Sequence, residues 1–141
     1  METANHEYYV SLEVAKLLKE AGFKWLINTT YRDGVLMRQG NLLCDNFNGR
    51  QYENAVRHEF FSAPTLDVAQ RWLREVKNCF IMIDVFVHNL DKNNIYCTYN
   101  WIVYLDDERY SSSNWDDTRY YEVAQEAGIE KALKLILEKV E

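Results

Sequence analysis

The chain has 141 residues and a mass of 16.8 kDa, which fits one domain covering residues 1–141. Apolar residues make up 48% and aromatics 14%, enough surface to bury that disorder is excluded as the main description, and no apolar run approaches the ~18 residues of a membrane span. The formal net charge is −6, and residues 65–141 hold 14 acidic against 9 basic side chains, so the second half is a poor surface for a phosphate backbone.

The segment Met1–Glu7 has neither the basic nor the apolar run of an export signal. Cys44, Cys79 and Cys97 are odd in number and lack CxxC spacing. They read as small hydrophobes in a reducing compartment, and a cytoplasmic protein is expected.

Residues 7–10 are a short lead-in. Ser11 then offers its hydroxyl to free first-turn amides, and Val14, Leu17, Leu18 and Ala21 repeat at helical spacing up to Gly22. Gly22 suits the left-handed position that ends a helix. Residues 23–31 are rich in aromatic and β-branched types and predict a strand. Asp33-Gly34 predicts a tight hairpin turn with Val35–Arg38 as the return strand. Periodicity breaks over residues 39–63, which are expected to form a long loop with at most a short strand inside it. That stretch and its border carry Arg38, Arg50, Arg57 and His58.

Thr65 caps a second helix whose apolar face is Leu66, Ala69, Trp72, Leu73 and Val76. From Cys79 to His88 the chain alternates. Ile81, Ile83, Val85 and Val87 share one face, while Phe80, Met82, Asp84, Phe86 and His88 share the other. This reads as a central strand with one face in the core. Residues 89–94 turn into a strand over 95–105, with Tyr96, Thr98, Asn100, Ile102 and Tyr104 on one side. Asp106-Asp107 leads into a short edge strand over Arg109–Ser113. Thr118 is expected to cap the longest helix, residues 119 to about 139. Gly128 in its middle costs about 1 kcal/mol against Ala, which points to close approach of helix and sheet.

The expected fold is α+β: one antiparallel sheet of four to five strands with helices packed on it, the C-terminal half running α-β-β-β-α. That order is shared with double-stranded RNA-binding domains, but the region before the last helix reads Asp116-Asp117-Thr118-Arg119, too acidic to grip phosphates. The strand after the first helix argues against a helix-turn-helix.

Three phrases carry a resemblance: Tyr9-Val10-Ser11-Leu12-Glu13-Val14-Ala15-Lys16-Leu17-Leu18-Lys19-Glu20-Ala21-Gly22-Phe23; Ser62-Ala63-Pro64-Thr65-Leu66 with Trp72-Leu73-Arg74-Glu75; and Tyr121-Glu122-Val123-Ala124-Gln125-Glu126-Ala127-Gly128-Ile129. Together they resemble a group of small proteins from gut bacteria, often encoded near phage or mobile-element genes, with no established function. The resemblance spans nearly the whole chain and rests on caps and core faces. It implies a cytoplasmic protein of a bacterium or its phage and carries over no site residue.

Reactive constellations are sparse. The five glycines form no GxGxxG or GxxxxGK loop, and no GxSxG elbow occurs. His58-Glu59 could supply a base or ligand pair. Asp84 and His88 share a strand face, but about 13 Å apart. Asp106, Asp107, Glu108, Asp116 and Asp117 are the densest acidic cluster and lack calcium-loop spacing. No catalytic residue, metal or cofactor is expected.

The aromatics point elsewhere. Phe80, Met82, Phe86, Tyr96 and Tyr104 fall on the second sheet face, which is expected to be covered by the N-terminal helix or hairpin, or by a second subunit, because large bare patches are rare on monomers. The reading is a non-enzymatic interaction or accessory protein, with Arg38, Arg50, Arg57, Tyr96 and Tyr104 as the binding surface and a protein partner or a homo-oligomer as its occupant. The competing reading is a nucleic-acid-binding module that uses the aromatic face and the basic loop.

Overall fold

The computed structural model describes residues 8–38, 44–112 and 118–139. Its elements are α1 (Leu12–Glu20), β1 (Thr29–Arg32), β2 (Val35–Arg38), a 3-10 turn (Phe47–Gly49), β3 (Tyr52–Glu53), β4 (Val56–Arg57), β5 (Phe60–Ser62), α2 (Leu66–Val76), β6 (Phe80–Asp91), β7 (Asn94–Leu105), β8 (Glu108–Ser111) and α3 (Tyr121–Glu138). The fold is α+β with antiparallel strands.

The helix starts follow from local chemistry. Ser11 Oγ accepts from Val14 N at 3.2 Å and Thr65 Oγ1 from Val68 N at 3.3 Å, each satisfying a first-turn amide. The end of α1 is a Schellman motif. Gly22 takes φ +96°, its N–H donates to Lys19 O, and Phe23 N donates to Leu18 O. At the end of α2 the left-handed position falls to Asn78, φ +52°.

Three antiparallel pairs close through two-residue turns in which both φ angles are positive: Asp33-Gly34, Asn54-Ala55 and Asp106-Asp107. This closure matches the twist of the flanking strands.

The single sheet of four to five strands expected from the sequence is replaced by three sheets, ordered β2-β1-β5, β3-β4 and β6-β7-β8. The 39–63 loop is likewise corrected. Residues 39–43 lie outside the described residues, but the remainder holds the 3-10 turn and three short strands, and β5 pairs with β1. Two-residue strands such as β3 and β4 are too short to show a period. The strand expected over residues 23–31 begins only at Thr29, because Phe23 belongs to the end of α1 and Ile27 makes a lone bridge to Asp45.

One core joins all three helices to both larger sheets. It includes Val14, Leu18, Phe23, Trp72, Leu73, Ile81, Val103, Ile129 and Leu133. Trp72 meets Phe23 edge-on at 5.3 Å between ring centroids. Val76, expected on the apolar face of α2, is exposed. A buried polar chain crosses this core. Gln125 is 2% exposed, and its amide donates to Asp67 Oδ1 at 2.8 Å and Gln70 Oε1 at 2.9 Å. Gln70 Nε2 in turn donates to Ile81 O at 2.9 Å, tying α3 to α2 and α2 to β6.

Helix α3 lies on β6 and β7 with almost no gap. A Cβ at Gly128 would sit 3.0 Å from Ile81 Cγ2 and 3.0 Å from Trp101 Cβ, the close approach that the glycine implies. Thr118 is not its cap. It bridges to Tyr99, and Tyr120 occupies the cap position without a side-chain bond.

Strand β6 is an edge strand, not a central one, since β7 is the middle of its sheet. Its inner face is buried at Ile81 and half-buried at Ile83, then exposed at Val85 and Val87. The cause is a length mismatch. An 18-residue helix spans about 27 Å, while a 12-residue strand spans about 40 Å. The two are aligned at the far end, where Lys139 Nζ reaches Asp106 Oδ2 at 2.6 Å. The hairpin therefore runs past Tyr121, which meets Tyr99 at 5.6 Å. On the outer face the expected cover is absent along β6, where Phe80, Met82 and Phe86 are 43%, 53% and 45% exposed, while Thr98, Asn100 and Ile102 of β7 on the same face are buried.

Two measurements check this account. Gly128→Val is expected to destabilise by about 1–3 kcal/mol in urea denaturation, since the added methyls have no room against Trp101 Cβ. Ala55→Gly is expected to stabilise by about 1 kcal/mol, because Ala55 holds φ +65°, where an L side chain is strained.

Candidate functional site

Three surfaces draw together groups that could bind or react. The first is a cleft of about 340 Å³ lined by Lys19, Asp33, Arg50, Arg57, His58 and Glu59 among others. The β1–β2 turn brings Asp33 against the start of β5. Asp33 N donates to Glu59 O at 2.9 Å, Asp33 Oδ1 accepts from Glu59 N at 2.9 Å, and Asp33 Oδ2 lies 2.6 Å from His58 Nδ1. The Glu59 amide first, and the His58 ring second, hold the Asp33 carboxyl below the usual range.

An oriented Asp–His pair is half of a nucleophilic apparatus. Among the described residues the lining holds no hydroxyl or thiol to serve as nucleophile, and Lys19 Nζ is spent on Phe60 O at 3.0 Å. The sequence pairing of His58 with Glu59 is replaced by His58 with Asp33. The arrangement works as a clasp between the turn and β5.

The second surface is a groove where the N-termini of α2 and α3 meet, in two adjoining hollows of about 290 and 300 Å³. Tyr8, Leu66 and Glu122 line both. Two of its acidic groups are already engaged: Asp67 accepts from Gln125, and Glu126 Oε1 accepts from Ser11 N at 3.1 Å. The Tyr31 hydroxyl is raised by burial and then by Glu126, and it donates to Val10 O at 2.7 Å.

The third surface is the overhanging β6–β7 hairpin. Val85, Phe86, Val87 and Leu90 are 53%, 45%, 65% and 73% exposed, and Ile95 across from them is exposed too. On its outer face His88 stacks on Tyr96 at 4.7 Å and 10° between planes, and the Arg119 guanidinium lies 4.4 Å from the same ring centre. His88 Nε2 meets Thr98 Oγ1 at 2.9 Å. Farther in, Asn100 is 6% exposed and its Oδ1 lacks a partner.

The five residues expected to form one binding surface do not come together. Arg50 and Arg57 line the cleft, where Arg50 also faces Asp45 at 3.6 Å. Arg38 ends β2 and is exposed, outside that lining. Tyr96 and Tyr104 share a face of β7, but eight residues of strand separate them by about 27 Å. Of the acidic cluster, Asp106 pairs with Lys139 and Glu108 accepts from the Tyr110 hydroxyl, while Asp116 and Asp117 lie outside the described residues.

Among the described residues no three His, Cys, Asp or Glu side chains gather as a metal-binding group, and no helix is long and apolar enough to cross a membrane. Burial pushes the Cys79 thiol up to about 11, which leaves it protonated and unreactive. Comparison with protein-family models, curated proteins and solved structures found no match.

The Asp33 clasp has a pH signature. A carboxyl lowered in the folded state stabilises above the unfolded value of about 3.9 and loses that contribution as pH falls through the folded one. Asp33→Asn keeps a residue that tolerates the left-handed turn. It is expected to lower the urea midpoint at pH 7, and wild type and variant are expected to converge as pH falls through the folded value. Equal midpoints at pH 7 would show that the clasp adds nothing.

Proposed function

We propose that the protein is a non-enzymatic interaction protein whose binding element is the β6–β7 hairpin beyond α3. The observation that carries this reading is the bare apolar run Val85, Phe86, Val87 and Leu90. Such a run costs solubility and has no covering element among the described residues. An accessory role in the cytoplasm of a bacterium or its phage follows the resemblance of the caps and core faces, and nothing in the cleft at His58 calls for catalysis.

Nucleic-acid binding is supported less well. Arg50 and Arg57 share their cleft with Asp33 and Glu59. The Tyr96 ring, which a base would have to stack on, already has His88 and Arg119 against it.

A photo-crosslinking amino acid in place of Val87, in cells of the native host, tests the reading. Protein adducts are expected from position 87 and not from exposed Glu75 on α2. Adducts to DNA or RNA would transfer support to the competing reading, and no adduct from position 87 would remove the hairpin as the binding element.

A further inference from the structure

The occupant of that hairpin can be named from its geometry, on the premise that the hairpin is an interaction surface. We propose that the outward edge of β6 pairs antiparallel with the same edge of a second copy of this chain, with Phe86 on the two-fold axis.

The edge is bounded at both ends. At its root Gln70 Nε2 occupies Ile81 O, so no strand can add there. At its tip the β6–β7 register shifts between Asn89 and Asp91, which bends the ladder. Among the described residues the regular, unobstructed edge is therefore 83–89, and its middle residue is Phe86. The Gln70 contact also marks which backbone groups face outward. A residue's N–H and C=O point the same way in an antiparallel strand, and alternate residues point oppositely. Ile81 faces out, and so do Ile83, Val85 and Val87. An added strand would satisfy those three residues.

Symmetry then selects the register. Two antiparallel copies related by an axis normal to the sheet must place paired residues on the same face, so the axis passes through a residue. An axis at Asp84 sets two carboxylates directly opposite, which is destabilising. An axis at Val85 sets Asp84 against Phe86 and Met82 against His88. An axis at Phe86 sets Phe86 on Phe86, Val85 on Val87, and Asp84 on His88, each of the last two made twice. His88 Nε2 is used by Thr98, and its Nδ1 is the second nitrogen available to a carboxylate. This register uses the whole free edge and joins an apolar centre to two complementary polar pairs. The product is a continuous six-stranded sheet with its edge removed, formed by the isologous contact usual in dimers.

Because odd residues carry the new hydrogen bonds, Phe86 sits in a non-hydrogen-bonded pair, where Cα atoms lie about 4.5 Å apart. That spacing is within disulfide reach. Asp84 lies about 13 Å along the strand from its own counterpart, which is out of reach.

The test uses the full chain with Cys44→Ser and Cys97→Ser. Under oxidised glutathione, Phe86→Cys is expected to give a covalent dimer. Asp84→Cys and His88→Cys should give none alone and a mixed dimer when combined. Light scattering of the unmodified chain should report twice 16.8 kDa. Val87→Lys should raise the dimer dissociation constant about tenfold or more with an unchanged circular dichroism spectrum. A monomer across micromolar to millimolar concentration, or equal crosslinking from Asp84→Cys and Phe86→Cys, overturns the proposal. A monomer whose position 87 crosslinks to a different protein overturns it while leaving the interaction reading intact. A monomer with no adduct at all overturns both.

Discussion

The distance between the α3 backbone and the β6–β7 ladder is the constraint from which the rest follows. Gly128 leaves only 3.0 Å between a would-be Cβ and either Ile81 or Trp101, so the helix is seated by backbone shape, with little side-chain cushion to adjust. A helix set that low buries strand residues beneath it, Val103 completely, and offers nothing to those past its end. The sharp change from buried Ile81 to bare Val85 on one face is the result. Packing and exposure on the same strand thus share one cause.

What could be read from the sequence is what local chemistry decides. Ser11 and Thr65 announce their helices because a hydroxyl there meets a free amide one turn on. Asp33-Gly34 announces its hairpin because few dipeptides accept two positive φ angles. Gly128 could be read because a mid-helix glycine needs a neighbour close enough to justify it. The alternation of Phe80–His88 correctly separates two faces, yet alternation cannot report that the strand outruns its helix, so the edge position of β6 and the bareness of Val85 and Val87 were not legible. The Asp33–His58 contact joins residues 25 apart through the β1–β5 pairing, a register that leaves no mark on either residue. The same holds for Thr118, drawn into a bridge with Tyr99 despite its suitability as a cap.

The polar chain from Gln125 through Gln70 to Ile81 shows how the core limits the edge it adjoins. Buried amides need partners. Gln70 finds one in a strand carbonyl that would otherwise face outward. Satisfying an internal requirement of the helices thereby closes the first residues of β6 to any added strand. Asn100 presents the opposite case: its Oδ1 is buried without a partner in the middle of β7, where such a group costs about 1–3 kcal/mol.

The two-residue closures have a further consequence for how the chain can vary. A connection made of two left-handed residues has no slack, so one residue gained or lost at Asp106-Asp107 would rotate β8 by half a turn about its axis. Tyr110, which packs against the core, would be exchanged for the exposed Arg109, and the strand would present its wrong side to α3. Descendants of this sequence should therefore keep the spacing of these hairpins fixed and concentrate changes of length in the irregular stretches that carry no ladder.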